Sequence, residues 1–400
     1  MLSGLSRIER ALLAAVVILT ALAGVTRYAQ GVSQVLAFAV ATLALAGQAW
    51  IVSFATEQVG RRVGPAVTGV LQSTVGNLPE FFVVIFALGA GQRIVAETAI
   101  LGSILVNALL VLGLVIVAGA RHADDGVMRF SPRLPNDTAT LLLISAFMIV
   151  LIGLADSAHD PASHHTKTIS IIGAVAILVV YGFWLRQYLS SANRRRPGSE
   201  ERADPSPEER PDSSPEERPD PSSEESGPGS EGRSGTEQRP DPAGEKPRLP
   251  ISFSIALLVA AGAGSAFVSD WFVQALQPTI HALHISQAFA GLVIVAIAGN
   301  AVENVAGIVL ASKGSSELAI SVVKNSIAQI AAFLYPLLVL VSLLTATTLT
   351  FALAPVYIGA LFGTAVIVWQ VTGDGEATAF EGVALVATFV ILAAVAAFET

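Results

Sequence analysis

The sequence predicts an all-α polytopic membrane protein of about eleven transmembrane helices, one N-terminal helix plus two inverted five-helix repeats. Three observations lead there. Hydrophobic residues make up 53% of the 400 and charged residues only 14%. Much of that charge is gathered between positions 194 and 248, which leaves many runs of the about 20 apolar residues needed to cross a ~30 Å hydrocarbon layer. Second, two glutamates sit deep in apolar stretches and end the same short pattern: Gly76-Asn77-Leu78-Pro79-Glu80 and Gly299-Asn300-Ala301-Val302-Glu303. An ionisable group in hydrocarbon is costly to keep and marks an ion or proton pathway. Third, a shift of 223 residues aligns positions 70–118 with the second half without a gap. It matches Gly76 to Gly299, Asn77 to Asn300, Glu80 to Glu303, Gly91 to Gly314 and Ser103 to Ser326.

Taken in order, residues 1–30 hold the N-terminal helix. Arg7 and Arg10 precede an apolar run from Ala11 to Val25, a layout shared by signal peptides and first helices. The run is long for a signal core and lacks a clear polar cleavage region, so it reads as a helix. Apolar length and punctuation place the spans at about 10–29, 32–54, 65–90, 94–119, 138–156 and 168–190 in the first half. In the second half they fall at about 251–275, 286–312, 317–345, 351–371 and 378–398. The first membrane repeat is thus 31–191 and the second 251–400. Between them, 192–250 is rich in Pro, Glu, Ser, Arg and Gly, and Pro207-Glu208-Glu209-Arg210-Pro211-Asp212 recurs eight residues on, starting at Pro215. Such a segment buries too little apolar surface to offset the entropy of ordering it, and reads as a disordered tether.

Basic residues in short loops set orientation. With the N-terminus inside, the inner loops hold Arg7, Arg10, Arg61, Arg62, Arg121, Arg129, Arg133 and Lys313; the outer ones hold Arg27, Arg93 and Lys167. The N-terminus and linker are therefore expected in the cytoplasm. Composition that is rich in Arg and poor in Lys suggests a bacterial inner membrane as the location. Five spans separate the third helix from the eighth, and an odd number reverses direction across the bilayer. Inverted repeats are the architecture by which transporters alternate a central site between two sides.

Ser73, Asn77 and Glu80 fall at i, i+4 and i+7 on one helical face, and Asn300, Glu303 and Gly307 follow suit in the second half. Ser103 and Asn107 are four apart; Ser326 and Gln329 are three apart. Together these residues offer two carboxylates ringed by amide and hydroxyl oxygens, the ligand type that hard cations such as calcium take. Without cysteine or an intramembrane histidine cluster the softer ligands favoured by zinc or copper are missing. Pro79 frees the Val75 carbonyl from its helical partner, and Gly76 beside it favours a break whose backbone can line an ion cavity. Val302 stands where Pro79 would be, so the two sub-sites need not match. A buried carboxylate without a cation tends to take up a proton, whereas a bound cation favours the ionised form. Mutually exclusive occupancy of that kind is the minimum for antiport.

Bland roles compete for several residues. Buried Ser73, Ser103 and Asn107 can serve as helix–helix glue. Lys324 points roughly away from the face of Asn325, Ser326 and Gln329 and is expected to snorkel to the cytoplasmic interface. His159, His164 and His165 read as an ordinary polar loop; Glu57 and Glu97, near helix ends, as solvated charges.

On these residues the chain resembles the calcium/proton antiporter branch of the cation/calcium exchanger superfamily. Residues 57–119, with Gly76-Asn77, Glu80 and Leu101-Gly102-Ser103-Ile104-Leu105 leading to Asn107, are similar to its first alpha repeat. Residues 298–342, with Gly299-Asn300, Glu303 and Gln329, resemble the second, and Asp374-Gly375-Glu376 with Glu381-Gly382 resembles the family's ending. The resemblance implies calcium exchange for protons centred on Glu80 and Glu303, with Asn77, Asn300, Ser103, Ser326 and Gln329 nearby. Three departures stand out: Leu78-Pro79 in place of a small residue and Thr, Asn304 where histidine is common, and Lys324-Asn325 in a usually small, apolar stretch.

The expectation is a secondary-active antiporter whose cargo is calcium and protons, with no cofactor, no enzymatic step and the lipid bilayer as its surroundings. Nothing basic and aromatic suggests a nucleic-acid partner, and no nucleophile or substrate pocket suggests an enzyme. Sodium or potassium exchange on the same scaffold is the near alternative. A cation channel or a non-transporting sensor is the distant one, disfavoured because two inverted repeats meeting at one carboxylate pair suit alternating access better than an open multi-ion path.

Overall fold

Long apolar runs cannot leave backbone amides unpaired in hydrocarbon, so they close their hydrogen bonds internally as helices. A computed structural model describes residues 5–63, 71, 75–131, 133–194 and 249–399. The linker segment 195–248 and Ser73 lie outside the described residues.

Twelve helices follow one another there: α1 (Arg7–Tyr28), α2 (Gln34–Val63), α3 (Leu78–Gly89), α4 (Arg93–His122), α5 (Arg133–Ser157) and α6 (Thr166–Arg194). The second half adds α7 (Ile251–Leu283), α8 (Gln287–Gly299), α9 (Ala301–Ser312), α10 (Ser316–Leu344), α11 (Pro355–Thr372) and α12 (Ala379–Phe398). Among the described residues, nine are long and apolar enough to cross a membrane, and ten if α8 and α9, bent by 63° at their junction, form one span. Leu78–Gly89 is a shorter apolar helix; 65–70 and 72–74 of the expected 65–90 span lie outside the described residues.

Local chemistry explains where the helices stop. Ser6 and Glu9 close a capping box at the start of α1, and Thr378 and Glu381 do so for α12. Helix α11 begins at Pro355 rather than near 351, since proline suits a helix's first turn. Helix α7 outruns its expected end by eight residues and passes through Pro278 to Leu283. The Thr279 hydroxyl donates to Ala275 O at 2.8 Å beside the proline, the kind of side-chain bond that makes an intrahelical proline tolerable.

The central elements of the two halves repeat each other at the 223-residue offset. Helices α3 and α9 both run 12 residues. Each ends before a glycine held at positive φ, Gly91 at 75° and Gly314 at 76°. Then α4 and α10 start, and both carry a π-helical turn, Val106–Val111 and Ile330–Leu334. These two helices form the centre of the molecule, whereas α1, α7 and α12 sit at its rim. Leu101, Ile104, Leu105, Leu109, Ile327 and Tyr335 are fully buried there. Helix α2 lies along α7, α5 along α11, and α4 along α12.

A two-stranded antiparallel ladder joins the halves. Strand β1 (Val127–Arg129) pairs with β2 (Glu376–Thr378), with Met128 opposite Ala377. Arg129 binds Glu376 at 3.2 Å and Asp125 at 2.7 Å, and this guanidinium holds the Asp125 carboxyl below its usual range. The Ser131 amide donates to Glu317, at the start of α10, at 2.6 Å.

Candidate cation site

The site forms where both repeats break. Helix α3 restarts at Leu78 behind Asn77, and α9 restarts at Ala301 behind Asn300. The two asparagines have nearly the same backbone angles, φ −89° and ψ 12° against φ −100° and ψ 11°. Proline is therefore not what makes the break, since the second half lacks it. The shared Gly-Asn pair is the common element. Both glutamates then fall in the first turn of a new helix, where the N-terminal amides favour negative charge.

Glu80 is 6% exposed. Its Oε1 accepts hydrogen bonds from Ser103 Oγ, in its own half, and from Asn300 Nδ2, in the other. Its Oε2 is buried with no hydrogen-bond partner. Glu303, half-buried, accepts from Ser326 Oγ at 2.5 Å. Glutamate and serine are 23 residues apart in both halves, so the same chemistry is built twice. Asn300 links the halves, because it bonds Glu80 from the break just before the helix that carries Glu303.

Backbone crowding makes this meeting tight. A Cβ on Gly299 would lie 2.8 Å from Glu80 Cγ, and one on Gly102 would overlap the Leu292 carbonyl oxygen. Glycine at these places lets α3 reach α8 and lets α4 reach the π turn Ala290–Val295 of α8. A cavity of 10 Å³ beside Glu80 is lined by Ser103, Ile100, Gly299 and Leu334 among others. That is the scale of one water-sized occupant.

Of the residues singled out from sequence, the structure brings Glu80, Ser103 and Asn300 into direct contact, and Glu303 and Ser326 likewise. Asn77 is buried at 4% exposure and occupies the N-cap position of α3 without a capping bond from its side chain. Gln329 is buried one turn beyond Ser326, without a hydrogen bond from its side chain to either glutamate. Asn107 donates to Ser103 O at 2.9 Å, a bond that secures the serine's helix rather than the carboxylate. His159, His164 and His165 are exposed, as a polar loop should be, and Glu57 is exposed too. Glu97 differs: its side chain is mostly covered and pairs with Arg93 at 2.6 Å.

Lys324 overturns its expectation. It does not snorkel; 1% of it is exposed, and Nζ donates to Thr372 Oγ1 at 3.1 Å. The sequence places it about eight residues into α10, but α5 packs against that helix and the end of α11 meets the ammonium. Sequence reasoning also missed why Gly102 and Gly299 are glycine. The motif flagged them, but only the partner helix shows what their missing side chains admit.

Two carboxylate–serine pairs, one in each of two like halves, thus sit inside a helical scaffold of membrane-spanning length. The chain belongs to the sodium/calcium exchanger protein family, whose pattern matches residues 33–186 and 253–398. Among similar proteins, a Ca(2+)/H(+) antiporter of Synechocystis sp. is 28% identical over 362 residues, covering 89% of each chain. A Ca(2+)/H(+) antiporter of Bacillus subtilis is 25% identical over 360 residues, covering 89% of this chain and 90% of its own. The native structure of YfkE superposes with a TM-score of 0.71 at 22% identity, over 97% of this chain and 98% of that one. The H+/Ca2+ exchanger CAX superposes with a TM-score of 0.68 at 14% identity, over 96% and 88%. These structures share the fold.

Proposed function

We propose that this protein is a secondary-active cation/proton antiporter that exports calcium in exchange for protons, by alternating access at a site centred on Glu80 and Glu303. The observation that carries this reading is the doubled carboxylate–serine pair, with Asn300 of the second half donating to Glu80 of the first. Calcium/proton antiport by its relatives in Synechocystis sp. and Bacillus subtilis supports the choice of cargo.

Two facing carboxylates repel each other when both are ionised and empty. A divalent cation removes that repulsion, and so does protonation. The same oxygens therefore serve either calcium or protons. Asn77, Asn300, Ser103, Ser326 and Gln329 supply neutral oxygens around them, as a hard cation prefers. Hydroxyls of Ser103 and Ser326 can rotate: they donate to an ionised, empty carboxylate and turn a lone pair toward a bound cation. The unpartnered Glu80 Oε2 gives the ion a free carboxylate oxygen. Reorientation follows from the repeats being inverted, so that each half takes the other's conformation in turn. In this reading the N-terminus and the linker face the cytoplasm of an inner membrane, 31–191 and 251–400 are the two repeats, and 1–30 is an accessory helix.

The test is calcium flux in proteoliposomes under an imposed pH gradient, comparing the unmodified protein with Glu80→Gln and Glu303→Gln. Gradient-driven flux is expected from the unmodified protein and neither variant. Sodium or potassium flux in its place moves the assignment to monovalent exchange, and calcium flux surviving both substitutions removes the two-glutamate site.

A further inference from the structure

A buried hydroxyl on a helix can return its proton to the carbonyl four residues back. On α7 Ser254 and Thr279 do so, to Pro250 O at 3.2 Å and Ala275 O at 2.8 Å. Ser269 is fully buried on the same helix, but its Oγ donates across to Pro79 O on α3, at 3.3 Å. Two turns earlier on that face, Gly262 lies against Leu78, where a Cβ would stand 3.5 Å from Leu78 Cδ1. Helix α7 therefore runs along the start of α3, next to the break that precedes Glu80.

The bond lands where the first turn of α3 has few other anchors. Pro79 O and the Glu80 Cα belong to one rigid peptide plane, so holding that oxygen holds the point from which the carboxylate side chain leaves. Asn77 gives this turn no side-chain capping bond, and Pro79 has no amide hydrogen to give. The second half does not repeat the arrangement. At the 223-residue offset Ala46 of α2 takes the place of Ser269, and alanine has no hydroxyl to give to Val302 O. The first turn of α9 lacks this anchor, and its Glu303 is the more exposed of the two carboxylates.

We propose that Ser269 is a positioning residue for the cation site: by holding Pro79 O it keeps Glu80 posed against Ser103 and Asn300, the arrangement that completes the site. The inference rests on the exchange proposed for Glu80 and Glu303. A pose set in advance strengthens binding because the cation need not order the carboxylate itself. A neutral hydrogen bond contributes about two- to tenfold in an equilibrium constant, and at 3.3 Å this one belongs in the lower part of that range.

The experiment uses the full chain in proteoliposomes at fixed pH, reading the calcium KM and the maximal rate per folded protein. Ser269→Ala is expected to raise the calcium KM by about two- to fivefold with the maximal rate unchanged. Ser265→Ala removes a fully buried hydroxyl one turn away that has no hydrogen-bond partner, and is expected to leave both unchanged. In a Ser103→Ala background the Ser269→Ala step is expected to shrink, since Glu80 is then no longer posed against that hydroxyl. In a Ser326→Ala background it is expected to keep its full size. Ser269→Cys keeps the shape with a weaker donor, and its KM is expected between those of the unmodified protein and the alanine variant. It carries the test if the alanine variant does not fold, as judged by size exclusion. An unchanged calcium KM, a fall in maximal rate alone, an equal rise in Ser265→Ala, or equal steps in the two serine backgrounds overturns the inference and leaves Ser269 a packing residue. If the unmodified protein shows no gradient-driven calcium uptake, the proposed exchange fails. Direct binding of calcium and of sodium to the solubilised protein then decides the Ser269 effect by the same comparisons, and binding of neither ion overturns both.

Discussion

Removing the serine hydroxyl from either carboxylate should hand the site to protons, and the structure says by how much. Ser103 is one of two donors to Glu80 Oε1, the other being Asn300. Ser326 is the one donor to Glu303 among the described residues. A hydrogen bond to a charged group contributes about 1.5–3 kcal/mol, and every 1.4 kcal/mol is about tenfold. Alanine at either serine removes a bond made to the ionised form only, so the protonated form gains. At fixed pH the calcium KM should rise by about ten- to a hundredfold, and the pH at which calcium displaces protons should move upward by about one to two units. Ser103→Ala should lie at the lower end, since Asn300 still donates to Glu80, and Ser326→Ala at the upper. The assay is calcium uptake into proteoliposomes across a series of external pH values at constant pH difference. Wild-type KM and an unshifted pH profile in both variants would refute the reasoning, as would a Ser103→Ala defect larger than that of Ser326→Ala.

Three further outcomes test the frame around the site. Gly102→Ala drives a methyl into the Leu292 carbonyl. Overpacking against backbone costs about 1–3 kcal/mol or more, so detergent-solubilised protein should melt earlier in a fluorescence unfolding scan; an unchanged midpoint contradicts the α4–α8 contact. Gly91→Ala and Gly314→Ala both force alanine to positive φ, at about 1–2 kcal/mol. Only Gly314 also meets a neighbour, His122 Nε2 at 2.5 Å. The Gly314 variant should therefore be the less stable, and His122→Ala should bring it back level with Gly91→Ala. The chain has no cysteine, so Met128→Cys with Ala377→Cys gives a clean cross-link. These residues are directly opposed in the β1–β2 ladder, and oxidation should keep the two halves together on a non-reducing gel after cleavage of the linker. Separate fragments would contradict the register.

Much of the architecture follows from local chemistry, which is why it was legible without coordinates. Span after span, apolar length alone decides that a segment is a helix, because hydrocarbon offers its backbone no other partner. Pairing of the Gly-Asn-x-x-Glu motifs across 223 residues was visible because a repeat preserves spacing. The shared breaks at Asn77 and Asn300 keep that spacing in space. Serine partners were legible for the same reason, each lying 23 residues after its glutamate.

What the sequence by itself determined, then, is the set of helices, their punctuation and the residues that recur in both halves, all consequences of short-range pattern. The tertiary structure alone decided which groups meet across the halves. Asn300 reaches Glu80 of the other half, and Gly299 and Gly102 are glycine because another helix lies against them. Helical periodicity correctly turned Lys324 away from the site face, yet it could not say that the end of α11 would be waiting there. A helical wheel gives direction about one axis. The partner in that direction depends on how helices distant in sequence pack, and packing is a property of the whole chain.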